Sequence, residues 1–192
     1  STITGYTVTA SPGGQTITVN GQTLTATFTS LTNGMLYSFT VVANNTVGTG
    51  ASSSASNAVT PSTVPGAPTN VTATASSTQA TVTWSVPSST GGSTITGYTV
   101  TASPGAQTVT VNGSTHMATF TGLANGTPYT FIVTTINTVG TGASSSASNA
   151  VTPATIPGAP TSVSATAGNA QATVTWSAPT SIGGSAITGY KV

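Results

Sequence analysis

The chain has 192 residues and almost no ionisable side chains, with 0 Asp or Glu, 1 Lys or Arg, 1 His and 0 Cys. Charged residues normally make up about a quarter of a soluble domain. This composition excludes carboxylate acid–base catalysis, carboxylate or thiolate metal sites, basic nucleic-acid-binding surfaces and disulfides. We therefore predict no catalytic residue, no cofactor-binding residue and no metal ligand.

Short stretches in which apolar residues alternate with Thr predict β-strands along the chain. The apolar positions, in chain order, are Tyr6, Val8 and Ala10; Ile17 and Val19; Leu24, Ala26 and Phe28; Tyr37, Phe39, Val41 and Ala43; and Ala80, Val82 and Trp84. Turn signals separate them at Pro12-Gly13-Gly14, Asn20-Gly21, Asn33-Gly34, Gly48-Thr49-Gly50 and Gly91-Gly92. Asn-Gly pairs supply the positive φ angles that tight hairpin turns require. Short strands without helical periodicity predict an antiparallel β-sandwich.

The sequence repeats itself with a period of 92 residues, the spacing of Tyr6, Tyr98 and Tyr190. Roughly three-quarters of positions are identical at that offset, and residues 185–192 repeat the first eight residues with two changes. The period exceeds the roughly 20–50 residues of solenoid repeats. It fits a module that folds as its own domain.

Each period carries a pattern that resembles the fibronectin type III family. The residues are Pro65-Gly66-Ala67-Pro68, Trp84, Pro87, Gly91-Gly92, Ile95-Thr96-Gly97-Tyr98, Leu123, Asn125-Gly126, Tyr129, Phe131, Val133, Asn137, Gly140 and Gly142. More narrowly, the whole chain is similar to the tandem modules of this family in large secreted bacterial proteins. The resemblance implies tandem seven-stranded immunoglobulin-like β-sandwiches. At Tyr129 it implies a tyrosine corner, in which the phenol hydroxyl bonds back to the backbone.

The resemblance divides the chain into one complete module and two partial ones. Residues 1–61 correspond to strands C, C′, E, F and G, residues 62–153 to a complete module, and residues 154–192 to strands A to C. A partial sandwich exposes its apolar face and an unpaired edge. We therefore expect the natural molecule to continue at both ends, or neighbouring copies to complete the partial modules.

The chemically distinctive side chains are predicted to be structural. His116, the sole imidazole, has no carboxylate or nucleophile to work with, and we predict an incidental residue at the surface or a strand edge. Lys191 is predicted to face solvent. Trp84, Tyr98 and Phe120 resemble a sugar-stacking platform, but their alternation predicts that they form the module core.

Two patterns are compatible with glycosylation. Sequons of the form Asn-x-Ser/Thr occur at Asn44, Asn70, Asn112 and Asn125. Chance gives about this number in a chain so rich in hydroxyl residues. The Ser-rich loop at 51–56, repeated at 143–148, is either a solvated loop, which we favour, or an acceptor of O-linked sugar.

The missing charge and the linkers predict how modules associate. The strands present rows of Thr without the Lys or inward charges that usually protect strand edges, and a net charge near zero promotes association. The linker contains Pro61, Pro65 and Pro68, which restrict the angle between modules. We expect further copies of the chain as the main partner and glycan as a second candidate. No nucleic acid partner and no membrane insertion are expected.

Three functions stay open. The leading hypothesis is a non-enzymatic structural repeat of an extracellular bacterial stalk or self-associating filament. The alternatives are an adhesin or polysaccharide-binding module, and a spacer between domains of a secreted hydrolase. The resemblance to secreted modules implies an extracellular or cell-surface location, and apolar tracts such as 39–43 are far shorter than the ~20 residues of a membrane helix.

Overall fold

The computed structural model describes all 192 residues, which form antiparallel β-strands and no helix. The strands are β1 (Ile3–Ser11), β2 (Thr16–Asn20), β3 (Ser38–Asn45), β4 (Thr69–Ser76), β5 (Gln79–Ser85), β6 (Ile95–Ser103), β7 (Thr108–Asn112), β8 (Met117–Thr121), β9 (Thr130–Asn137), β10 (Thr141–Ser144), β11 (Thr161–Gly168) and β12 (Gln171–Ser177).

Strands β4 to β10 form one complete sandwich. Its first sheet has the order β4-β5-β8, and its second has the order β10-β9-β6-β7. In the first sheet Ala80 lies opposite Phe120, and in the second Val100 lies opposite Val133. The predicted seven-stranded antiparallel sandwich is confirmed.

The core of this sandwich lies between the two sheets. It consists of 13 buried residues: Ala73, Ala80, Val82, Trp84, Tyr98, Val100, Ala102, Ala118, Phe120, Leu123, Tyr129, Phe131 and Val133. The rings of Phe120 and Phe131 are 4.9 Å apart and join the sheets through aromatic contact. Because side chains alternate between the faces of a strand, every second residue of β6 enters this core while the Thr residues between them stay partly exposed.

One predicted strand, at Leu24 to Phe28, does not form. In the complete sandwich the equivalent strand β8 pairs with β5 alone, and residues 1–61 contain no counterpart of β5. Without a partner the segment lacks the backbone ladder that defines a strand. Leu24 is 80% exposed, although Phe28 still packs against Phe39 at 5.0 Å.

Two further segments differ from the sequence prediction. The predicted strand G of the first unit is reduced to isolated bridges such as Tyr37 to Val59. The predicted strand C within residues 154–192 is absent. Its Tyr190 contacts Trp176 at 5.4 Å but remains 44% exposed, because the neighbouring strands that bury Tyr98 have no counterpart there.

The Asn-Gly turns differ in why they need glycine. Gly34 has a φ of +84°, as predicted, but Gly21 has no positive φ. At that turn Asn20 Oδ1 accepts the backbone N–H of Thr23 at 2.9 Å. Gly21 is required for space instead, because a Cβ there would lie 3.0 Å from the carbonyl carbon of Ile3.

Candidate functional site

The linker between the first unit and the complete sandwich is hydrogen-bonded at both of its ends. The carbonyl of Pro61 accepts the N–H of Gly34 from the preceding unit at 2.9 Å. Two residues later, Thr63 donates its N–H to the Gly91 carbonyl at 2.8 Å. The Thr63 carbonyl accepts from Asn137 Nδ2, also at 2.8 Å. A single residue therefore separates bonds to one unit from bonds to the next.

The second linker repeats this pattern one period later. Gly126 donates its N–H to the Pro153 carbonyl at 2.9 Å, and Thr155 donates its N–H to the Gly183 carbonyl at 2.8 Å. The sequence predicted a restricted linker from its prolines. The hydrogen bonds add a second restraint, which involves residues that the proline argument did not identify.

An open cleft lies beside each linker. The first has a volume of about 730 Å³ and is lined by Ser, Thr, Asn and Gly residues together with Met35 and Leu36. The second, of about 530 Å³, has Ile182 as its one hydrophobic lining residue. Neither cleft contains an aromatic or charged side chain. The clefts therefore offer no side chain that could stack on a sugar ring or bind an ionic ligand.

His116 lies just before β8, at the edge of the three-stranded sheet. It is half-buried rather than fully at the surface, and its ring edge contacts Tyr98 with 5.5 Å between centroids. Its Nε2 is buried without a hydrogen-bond partner, and its carbonyl accepts the backbone N–H of Trp84 at 3.2 Å. The predicted position at a strand edge agrees with the structure, but the residue is not incidental, because its ring packs against the core residue Tyr98.

The three aromatic residues considered as a sugar platform are confirmed as core residues. Tyr98 and Phe120 have no exposed surface, and Trp84 is 6% exposed. Trp84 and Tyr98 contact each other at 5.4 Å. The Tyr98 hydroxyl has no hydrogen-bond partner, and burial raises the pKa of this phenol above its ordinary value. None of these rings can stack on a ligand without opening the sandwich.

The predicted tyrosine corner is confirmed. The hydroxyl of Tyr129 accepts the backbone N–H of Ala124 at 3.2 Å. The first unit has the same arrangement, in which Tyr37 accepts the N–H of Thr32 at 3.1 Å. This bond ties the loop that precedes β9 to the start of that strand.

The Ser-rich loop is exposed at every residue of 51–56, but two serines of its copy at 143–148 are buried against β9. Val133 donates its N–H to Ser145 Oγ at 2.9 Å, and Phe131 donates its N–H to Ser148 Oγ at 3.1 Å. The two serines return their own N–H groups to the carbonyls of the same partners, at 2.9 Å each. Both serines are buried, at 8% and 7% exposure. They complete the edge of β9 with side-chain oxygens in place of a regular strand.

Sequence reasoning missed this role of the serines, although a signal was present. Two serines three residues apart recur in both copies of the loop, and Ser53 and Ser56 bind the edge of β3 in the same way. These hydroxyl groups accept hydrogen bonds from the backbone of β3 and β9. Neighbouring serines, such as Ser144 and Ser146, are exposed.

The sequon residues divide by which side-chain atom is bonded. Asn44 and Asn70 donate from Nδ2, to Thr7 and Ser85 respectively. Asn112 and Asn125 accept through Oδ1 alone, so their Nδ2 atoms have no hydrogen bond.

Lys191 is exposed.

The structure brings no catalytic or metal-binding set together. No group of three or more His, Cys, Asp or Glu side chains exists that could hold a metal ion. The chain forms no helix long and apolar enough to span a bilayer.

Comparison with known proteins gives a consistent family. The family model of the fibronectin type III domain matches residues 1–59 and 66–151. Chitinase A1 of Niallia circulans is 40% identical over 158 residues, which are 78% of this chain and 21% of that protein. The chain therefore spans about a fifth of the length of this curated relative.

Solved structures with similar folds include the chicken CNTN1 FN1-FN3 domains. That structure has a TM-score of 0.43 and 21% identity, and the match covers 78% of this chain and 55% of that one. A structure of the titin kinase and its flanking domains has a TM-score of 0.41 and 30% identity, covering 47% of this chain and 17% of that one. The family model covers most of both periods, and the complete sandwich has the expected strands and tyrosine corner. The chain belongs to the fibronectin type III family.

Proposed function

We propose that the chain is a non-enzymatic spacer in an extracellular bacterial protein, where a row of modules holds other parts of the molecule at a set distance. The observation that carries this proposal is the hydrogen bonding of both linkers to the units on either side. A spacer must resist bending at its joints, and a linker with one residue between its restraints has little freedom to bend.

The composition supports a passive role. Hydrolysis of glycosidic bonds normally uses a pair of carboxylates, and this chain has 0 Asp or Glu. Its single His lies against the aromatic core and has no partner for proton transfer. Any chemistry of the parent protein would then be performed by other domains.

Two settings for such a spacer remain in competition. The first is a stalk or filament made of many modules, which the strong similarity of the two periods favours. The second is a spacer within a secreted hydrolase, which the similarity to Chitinase A1 favours. Because 78% of this chain corresponds to 21% of that relative, most of the relative lies outside the shared region. An adhesin or polysaccharide-binding role is a third setting, and the clefts beside the linkers contain no aromatic residue to support it.

A pelleting assay with insoluble chitin and cellulose separates spacing from polysaccharide binding. We expect the purified chain to stay in the supernatant at all polysaccharide concentrations, because the clefts beside the linkers contain no aromatic residue and the aromatic residues of the complete module's core are buried. Saturable co-sedimentation would instead support the adhesin or binding-module alternative. Electron microscopy of the native material then distinguishes a stalk or filament from isolated modules beside an enzyme domain.

We also propose that the neutral surface lets copies of the chain associate side by side. Contacts of this kind would consist of hydroxyl hydrogen bonds and apolar packing, which ionic strength affects little. Light scattering at increasing protein concentration, in low and high NaCl, tests the idea. Association that is equal in both salts is expected. Dispersed monomers at high concentration would rule it out.

A further inference from the structure

Two turns that contain glycine approach each other where successive units meet. Gly92 lies in the turn between β5 and β6, and Gly34 lies in the turn that precedes β3 in the unit before it. A Cβ on Gly92 would lie 2.7 Å from the carbonyl carbon of Asn33 and 2.9 Å from the Cα of Gly34. Both atoms belong to backbone, so neither can move aside without moving its turn.

The second joint repeats the contact with the equivalent residues. A Cβ on Gly184 would lie 2.7 Å from the carbonyl carbon of Asn125. In the opposite direction, a Cβ on Gly126 would lie 3.1 Å from the Cα of Gly184, and one on Gly34 would lie 3.0 Å from the Cα of Gly92. The contact is therefore a property of the repeat and occurs at each joint of the chain.

We propose that the diglycine turn of one module is a docking surface for the Asn-Gly turn of the module before it, and that this contact fixes the angle of the joint. The partner is another module of the same repeat, since both turns recur together at the period of 92 residues. This inference deepens the proposed spacer function, on which its biological use rests. The geometry itself is tested on the purified chain.

Two observations place the contact in a restrained setting. The Gly34 N–H bonds to Pro61, and Gly91 accepts from Thr63, so both turns are also tied to the linker between them. If the prolines alone stiffened the linker, a methyl group added at Gly92 would leave the joint unchanged. If the turns dock, the same methyl group must push the modules apart or tilt them.

The test compares Gly92→Ala with Gly105→Ala. Gly92 has a φ of +81° and Gly105 a φ of +95°, so both substitutions carry a similar backbone cost. A Cβ on Gly105 meets nothing within 4 Å, which makes this variant a matched control without the contact. Spin labels are placed at Thr16→Cys and Thr108→Cys, which are exposed equivalent positions in a chain that has 0 Cys.

Distances between the labels are measured by double electron–electron resonance. We expect one narrow distribution for the parent chain and for Gly105→Ala, and a shifted or broadened one for Gly92→Ala. A broad distribution in the parent chain, or identical distributions in the two alanine variants, would overturn the proposal.

A second variant covers the case in which Gly92→Ala disturbs its own module. Gly34→Ala adds the methyl group from the other side of the joint and leaves residues 62–153 unaltered. We expect a change in the same direction, and an unchanged distribution in this variant would overturn the proposal. Binding to polysaccharide in the pelleting assay would contradict the spacer function while leaving these distance distributions as they are, so the two failures are distinguishable.

Discussion

Two tyrosines of the complete module use their hydroxyl groups in opposite ways. Tyr129 accepts a hydrogen bond from the Ala124 N–H, whereas the hydroxyl of Tyr98 is buried without a partner. A buried polar group without a partner has lost its bonds to water and gained none in return, which costs about 1–3 kcal/mol. The ring of Tyr98 nevertheless fills the centre of the core, between Trp84 and His116.

Replacing each tyrosine by phenylalanine should therefore have opposite consequences. We expect Tyr129→Phe to lower the free energy of unfolding by about 1–2 kcal/mol, because the Ala124 N–H loses its acceptor. Tyr98→Phe should leave the free energy unchanged or raise it. Urea unfolding followed by Trp84 fluorescence, in a background that carries Trp176→Phe, measures both. If Tyr98→Phe lowered the free energy of unfolding more than Tyr129→Phe does, the hydroxyl of Tyr98 would not be the unbonded group described above.

The buried phenol of Tyr98 also predicts a sensitivity to alkali. Burial raises the pKa of Tyr98 above the ordinary value of 10.0. The unfolded chain then loses this proton at a lower pH than the folded chain does. The contribution to stability is complete below about pH 10 and is lost as the pH rises through the raised pKa. Between pH 8 and pH 11 the free energy of unfolding should fall less steeply with pH in Tyr98→Phe than in the parent chain. Equal slopes in the two proteins would show that the Tyr98 phenol does not cause the loss of stability.

At the scale of elements, serine side chains protect the part of β9 that lies beyond its short partner strand β10. An exposed edge normally offers unpaired N–H and C=O groups to other chains, and charged residues are a common defence. This chain lacks those charges. Ser145 and Ser148 instead occupy the N–H groups of Val133 and Phe131 and hold the loop away from regular strand geometry. The expectation of undefended edges, drawn from composition, does not apply to this edge.

Removing these hydroxyl groups should open the edge. We expect Ser145→Ala or Ser148→Ala to lower the free energy of unfolding by about 1–3 kcal/mol, because a buried N–H is left without an acceptor. Ser146→Ala is the control, since this serine is exposed, and its effect should stay within about 0.5 kcal/mol. Hydrogen exchange at the Val133 and Phe131 amides should accelerate in the first two variants alone. If the hydrogen-exchange rates of those amides did not change, the serine hydroxyl groups would not be what protects this part of β9.

Strands were predictable from sequence where their partners lie in the same chain. Alternation located β1, β2, β3 and β5, and the family pattern located the core around Tyr98. Alternation failed at Leu24 to Phe28, because a strand needs a neighbour and periodicity does not report whether one exists. The serine edge and the glycine contact at Gly92 were also missed, because each depends on atoms brought together by folding.

At the scale of the whole molecule, the absence of carboxylates changes how the protein should respond to acid. Acid unfolding mostly reflects carboxylates that are ionised in the native state and must take up protons. This chain has 0 Asp or Glu, so the side chains that drive acid unfolding in most proteins are absent. The modules are held by apolar packing and by hydrogen bonds between neutral groups, which do not titrate in this range.

We therefore expect a melting temperature that changes by no more than a few degrees between about pH 3 and pH 8. Differential scanning calorimetry in buffers of equal ionic strength measures it, and a parallel series in high NaCl should give the same values because few charges exist to be screened. His116→Leu, which introduces the residue found one period earlier at Leu24, removes the single imidazole of the chain. A large acid-induced fall that persists in His116→Leu would mean that a group other than a side-chain carboxylate or imidazole controls the stability of the array.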